Sequence, residues 1–138
     1  MKKYINLAIL YAILAMVGGI FYREFTKYMG FTSYTTLSVL HTHYFILGMI
    51  LFLILGILEK ITAFSDTKIR KLIFTYNVGL NLTVIMLLVR GICQVRQTPL
   101  SVASDSMISG LAGVGHLILG ISLILVLFKI KRAVDSMS

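Results

Sequence analysis

The sequence predicts an all-α integral membrane protein, with four transmembrane helices in an antiparallel bundle or arc and both ends on the cytoplasmic side. Three observations carry that expectation. Of 138 residues, 58% are hydrophobic and only 13% charged, and mean hydropathy is +0.93, more apolar surface than a soluble core of this size can enclose. Four runs are long enough to cross the hydrocarbon as helices, which takes about 20 apolar residues at about 1.5 Å each. The basic residues are also sorted to one side of those runs, as the positive-inside rule requires.

The first helix is predicted over about 4–22. Lys2 and Lys3 precede it as in a signal peptide, but the apolar run is long for an h-region and ends in Tyr22, Arg23 and Glu24 rather than a small-residue cleavage site. The stretch Glu24 to Thr36, rich in Tyr, Phe, Thr and Gly, suits an ordered interfacial loop. A second helix follows over about 37–58, then a short charged loop in which Ser65 or Asp66 is placed to cap the third. That third helix is predicted over about 70–95, around the apolar run from Leu72 to Ile92. Pro99, Ser101, Ser104 and Asp105 mark a loop leading into the fourth, over about 107–130. The whole of 1–138 reads as one transmembrane domain.

A net charge of +8 would suggest nucleic acid in a soluble domain, but its distribution points to topology. Lys2, Lys3, Lys60, Lys68, Arg70, Lys71, Lys129, Lys131 and Arg132 fall on one side, against Arg23, Lys27, Arg90 and Arg96 on the other. Nucleic acid is therefore not an expected partner, and the lipid bilayer is. The single Cys93 excludes an internal disulfide.

Any chemistry must lie among the helices. His41, His43 and His116 all fall inside predicted spans, where ionisable groups are costly enough to be functional candidates. Counted from the outer helix ends, His41 and His43 lie about 6 to 9 Å deep and His116 about 13 Å deep. Arg90 returns to about 9 Å depth with no acidic residue near it on its own helix. Glu24 could supply an anion, as could the propionates of a haem gripped by the guanidinium fork; Arg23 is a second candidate for that role.

Neutral imidazole ligates haem iron, zinc or copper, and helical bundles offer such ligands from facing helices. Residues two apart on an α-helix point about 200° away from each other, so His41 and His43 cannot share one ion without a helix distortion. Gly113, His116 and Gly120 share a face of the fourth helix, and Gly48 lies seven residues after His41. Such side-chain-free surface could admit a flat macrocycle or a neighbouring helix. The competing reading is structural: small residues serve helix packing, and a buried histidine hydrogen-bonds across helices. Asn77, Asn81 and Thr83 read as interhelical glue, Met49 and Met107 as gap-fillers, and Tyr44, Tyr22 and Tyr11 as hydrogen-bond partners or interfacial anchors.

The segment His41 to Gly48, HTHYFILG, resembles the HxHY segment in a ligand-bearing helix of haem-copper oxidase subunit I. The resemblance covers about ten residues. It implies that His41 and His43 face opposite ways towards two haem sites, and, since that subunit comprises three arcs of four helices, it suggests a homotrimer by analogy. Outside that segment the chain has only His116, so the oxidase copper site is not reproduced and oxygen reduction is not expected. Through REFT at Arg23 to Thr26 and LSVLHTH at Leu37 to His43, the chain also resembles an uncharacterised family of small four-helix bacterial membrane proteins.

The expectation is therefore a b-type haem protein of the bacterial cytoplasmic membrane, for electron transfer with a quinone or other redox partner, or for haem sensing or storage. His41, His43 and His116 would be axial ligands to haem b iron, with Arg90, Arg23, Tyr44, Gly48 and Gly113 around it. The alternatives are a cofactor-free accessory protein and a transition-metal binder.

Overall fold

The computed structural model describes residues 1–137; the final residue of the 1–138 domain lies outside the described residues. Four long helices account for nearly all of the chain: α1 (Lys2–Tyr28), α2 (Thr36–Thr62), α3 (Thr67–Val95) and α4 (Val102–Asp135). Each is long and apolar enough to cross a membrane, so the protein is a multi-pass, all-helical membrane protein.

Every helix outruns its predicted span. At about 1.5 Å per residue, the 27 residues of α1 and of α2 reach about 40 Å, enough for the hydrocarbon and most of both headgroup layers. Hydropathy registers only the apolar middle of such a helix. The predicted loop from Glu24 to Thr36 is thereby shortened, because α1 continues to Tyr28. Likewise α4 begins at Val102 rather than near Met107, with the Ser101 hydroxyl accepting from the Ser104 amide at 3.2 Å. Of the two candidate caps for α3, Asp66 takes the role: its Oδ1 accepts from the Ile69 amide at 2.7 Å.

Lipid exposure explains the polarity of the packing. Tyr4, Ala8, Tyr11, Ala15 and Gly18 form the buried stripe of α1 at alternating spacings of four and three, while Ile9, Ile13, Met16, Val17 and Ile20 are each more than half exposed. Large apolar side chains thus face the bilayer, and small or hydrogen-bonding ones face other helices. The α3–α4 contact is close for the same reason. A Cβ on Gly79 would lie 2.6 Å from the Leu119 amide nitrogen, and one on Gly115 would lie 2.9 Å from that of Thr83.

Three helices are tied together by amide and phenol groups. Tyr44 donates its hydroxyl to Asn81 Oδ1 at 2.9 Å, Asn81 Nδ2 donates to the Tyr11 hydroxyl at 3.0 Å, and Tyr11 in turn donates to Asn77 Oδ1. Each amide also bonds the carbonyl one turn back, Asn77 to Ile73 and Asn81 to Asn77. Each of the four side chains takes part in at least two of these bonds or bridges to the next, which makes this a lock between α1, α2 and α3 in a medium that offers no competing water.

α2 is not a uniform helix. It opens with a tight 3₁₀ turn at Thr36–Val39, continues as α-helix over Leu40–His43, and widens to π geometry over Tyr44–Ile50 before returning to α. The Tyr76 hydroxyl donates to the Leu47 carbonyl within the widened segment at 2.7 Å. Polar insertion of this kind is a recognised cause of local departures from the α ladder.

Candidate functional site

The α-helical turn between the two irregular segments of α2 carries both of its histidines, and it points them apart. The His43 ring lies beside His116 of α4, centroids 6.1 Å apart and planes inclined at 84°. His41 turns towards α1, where a Cβ on Gly19 would lie 3.7 Å from it, with Phe45 edge-on at 6.5 Å. The angular argument from sequence therefore describes the two directions, while the pairing of His43 with His116 comes from the way α2 and α4 are packed.

The two facing imidazoles are oriented in the same manner. His43 Nδ1 lies 2.7 Å from the Val39 carbonyl and His116 Nδ1 lies 2.8 Å from the Ala112 carbonyl, each four residues back on its own helix. A carbonyl only accepts, so Nδ1 is the donor in each contact, and the neutral tautomer compatible with it has its lone pair on Nε2. This is how ligating histidines are commonly fixed, with one nitrogen on a backbone carbonyl and the other free. His41 differs: its Nδ1 is buried without a hydrogen-bond partner among the described residues.

The surroundings of the pair are asymmetric. His43 is half-buried and His116 exposed. A Cβ on Gly113 or Gly120, beside His116, would meet nothing within 4 Å, so the surface of α4 around this imidazole is open. Gly48 is the opposite case, because a Cβ there would lie 2.5 Å from Tyr11 Cγ. Its missing side chain is filled by the Tyr11 ring, and it offers no room to a ligand. Tyr44, next to His43, is turned inward to Asn81.

Within the chain, the anion partner of Arg90 is not Glu24. Its Nη2 donates to Asp105 Oδ1 at 2.8 Å and to the Ser109 hydroxyl at 2.6 Å, both on α4. The early start of α4 brings Asp105 into its first turn, where a carboxylate also suits the helix dipole. Glu24 instead lies 3.8 Å from Arg23, and both are well exposed. Ser109 precedes His116 by two turns, so the Arg90 cluster sits about 10 Å above the imidazole pair.

Among the described residues, no three His, Cys, Asp or Glu side chains come together as a metal-binding group. The donor set is a pair of nitrogens, which suits an ion whose remaining positions are filled by something else. A porphyrin does that, leaving two axial positions for imidazole. Two metal–nitrogen bonds of about 2.0 Å in line separate the ring centres by about 6 Å, and the observed separation matches that figure. The spacing of the two rings is thus that of a metal centre held by two imidazoles.

No curated protein and no solved structure matches the chain. A family model of proteins of unknown function, DUF2871, matches residues 1–133. That match runs through all four helices, and the chain belongs to the DUF2871 family.

Proposed function

We propose that this protein binds b-type haem in the bacterial cytoplasmic membrane, with His43 and His116 as the axial pair, and serves electron transfer or the sensing or storage of haem. The observation that carries the reading is the His43–His116 arrangement: two imidazoles from different helices, each fixed at Nδ1, with ring centres 6.1 Å apart. The open surface at Gly113 and Gly120 supports it, since a flat macrocycle needs a wall without side chains. A haem held by two imidazoles supplies one-electron chemistry at its iron.

The chain's own residues have distinct parts in this reading. Val39 and Ala112 hold the tautomer in which both Nε2 atoms are donors to a metal. His41, turned to the α1 side, addresses a separate site, as the HTHY resemblance to haem-copper oxidase subunit I implies. Arg90 has already committed Nη2 to Asp105 and Ser109, so a propionate would be taken by its other guanidinium nitrogens. Homo-oligomerisation, as a trimer by the same analogy, would cover the exposed face of α4 that bears His116.

The deciding experiment is the visible spectrum of detergent-purified protein, oxidised and then dithionite-reduced, with a pyridine haemochrome assay. A Soret band with sharp reduced α and β bands, lost in His43→Ala and in His116→Ala, is the expected result. Colourless protein from haem-supplied cells would overturn the proposal and leave a structural or partner-binding role.

A further inference from the structure

At the end of the molecule opposite the histidines, α1 and α3 diverge around a cavity of about 630 Å³. Its rim carries Lys2, Lys3 and Arg70, and its wall is made of Leu7, Ile73 and Phe74. Among the described residues, Glu59 is the only carboxylate lining it, and its Oε2 is engaged by the Ser65 amide at 3.0 Å. The floor is Asn77, seven residues and about 10 Å along α3 from Arg70. Phe74, 71% exposed, forms a lip towards the bilayer.

We propose that this cavity binds one anionic phospholipid, with its phosphate among Lys2, Lys3 and Arg70 and an acyl chain along Leu7, Ile73 and Phe74. The charge balance selects an anion, because three cations face one carboxylate that is already hydrogen-bonded. The apolar depth selects an amphiphile over a small soluble anion, which would gain nothing from a hydrocarbon wall. Basic pockets between transmembrane helices recognise acidic headgroups in this way. The inference is independent of the haem reading, since no histidine lines the cavity.

Native mass spectrometry of the detergent-purified full chain, offered equal phosphatidylglycerol and phosphatidylcholine, tests it without any variant. Retention of phosphatidylglycerol over phosphatidylcholine by roughly tenfold or more is expected, and equal retention would overturn the proposal. The K2Q/K3Q/R70Q variant should lose the preference and K2R/K3R/R70K should keep it. Neutralising Lys71 and Lys131, basic residues of the same end that do not line the cavity, should leave it unchanged; an equal loss there would mean general surface charge and would also overturn the site. Inorganic phosphate at millimolar concentration should not displace the lipid, and displacement would reassign the cavity to a free anion.

Discussion

His43 and His116 stand nearly perpendicular, with ring centres 6.1 Å apart, and neither depends on the other for its orientation. Each Nδ1 is anchored one turn back on its own helix, so the pair is set before any ligand arrives. Preorganisation of this kind reduces the ordering cost of ligand binding.

If the pair holds haem as proposed, replacing either member with alanine should abolish the paired-imidazole spectrum, because one imidazole cannot supply a low-spin bis-histidine centre. On the same proposal, His41→Ala should spare those bands while lowering haem per protomer. Reduced-minus-oxidised spectra with haem quantification distinguish the three variants, and equal loss in all three would argue for a single shared site.

Glycine substitutions should separate packing from binding. Gly48→Ala sets a methyl group 2.5 Å from Tyr11 Cγ and is expected to destabilise the fold by about 1–3 kcal/mol. Gly113→Leu meets open space in the protomer and should leave thermal stability within about 0.5 kcal/mol while reducing haem content. Detergent-phase melting curves read beside Soret absorbance would show whether the two effects part.

The Tyr11 hydroxyl joins two asparagine side chains of α3, so Tyr11→Phe should cost about 1–2 kcal/mol by leaving amide groups unpaired in a water-poor interior. Adding Asn81→Leu should cost less than the two single changes together, since both partners of the lost bond are then apolar. Equilibrium unfolding in mixed micelles measures the coupling.

Acid sensitivity at the basic end should trace to Asp66. Its carboxyl is held below the usual value of 3.8, first by the Ile69 amide and also by the Lys129 ammonium 3.6 Å away. A carboxyl with a lowered folded-state pKa stabilises the fold above its unfolded pKa, and that contribution is lost as pH falls through the folded value. Asp66→Asn, which keeps the capping oxygen but not the charge, should flatten the stability profile below about pH 4 and lower the melting temperature at neutral pH towards the value the wild type reaches in acid. A pH series of melting temperatures checks this.

The sequence by itself determined the membrane class, the number of helices and the opposed directions of His41 and His43, because hydropathy and the 3.6-residue period act along one chain segment at a time. It also marked Ser65 or Asp66 as a cap and Asn77 and Asn81 as interhelical contacts, since short polar groups in those settings have few other uses. Helix ends were less legible, because charged residues in the headgroup layer stay helical without raising hydropathy.

Only the tertiary structure decided which groups meet. His43 faces His116 across α2 and α4, Arg90 meets Asp105 rather than Glu24, and Gly48 receives the Tyr11 ring while Gly113 stays open. The π segment after His43 had no clear mark in the residue pattern. Each of these depends on the register between helices far apart in sequence, which is set by the fit of their surfaces and not by the periodicity of either helix alone.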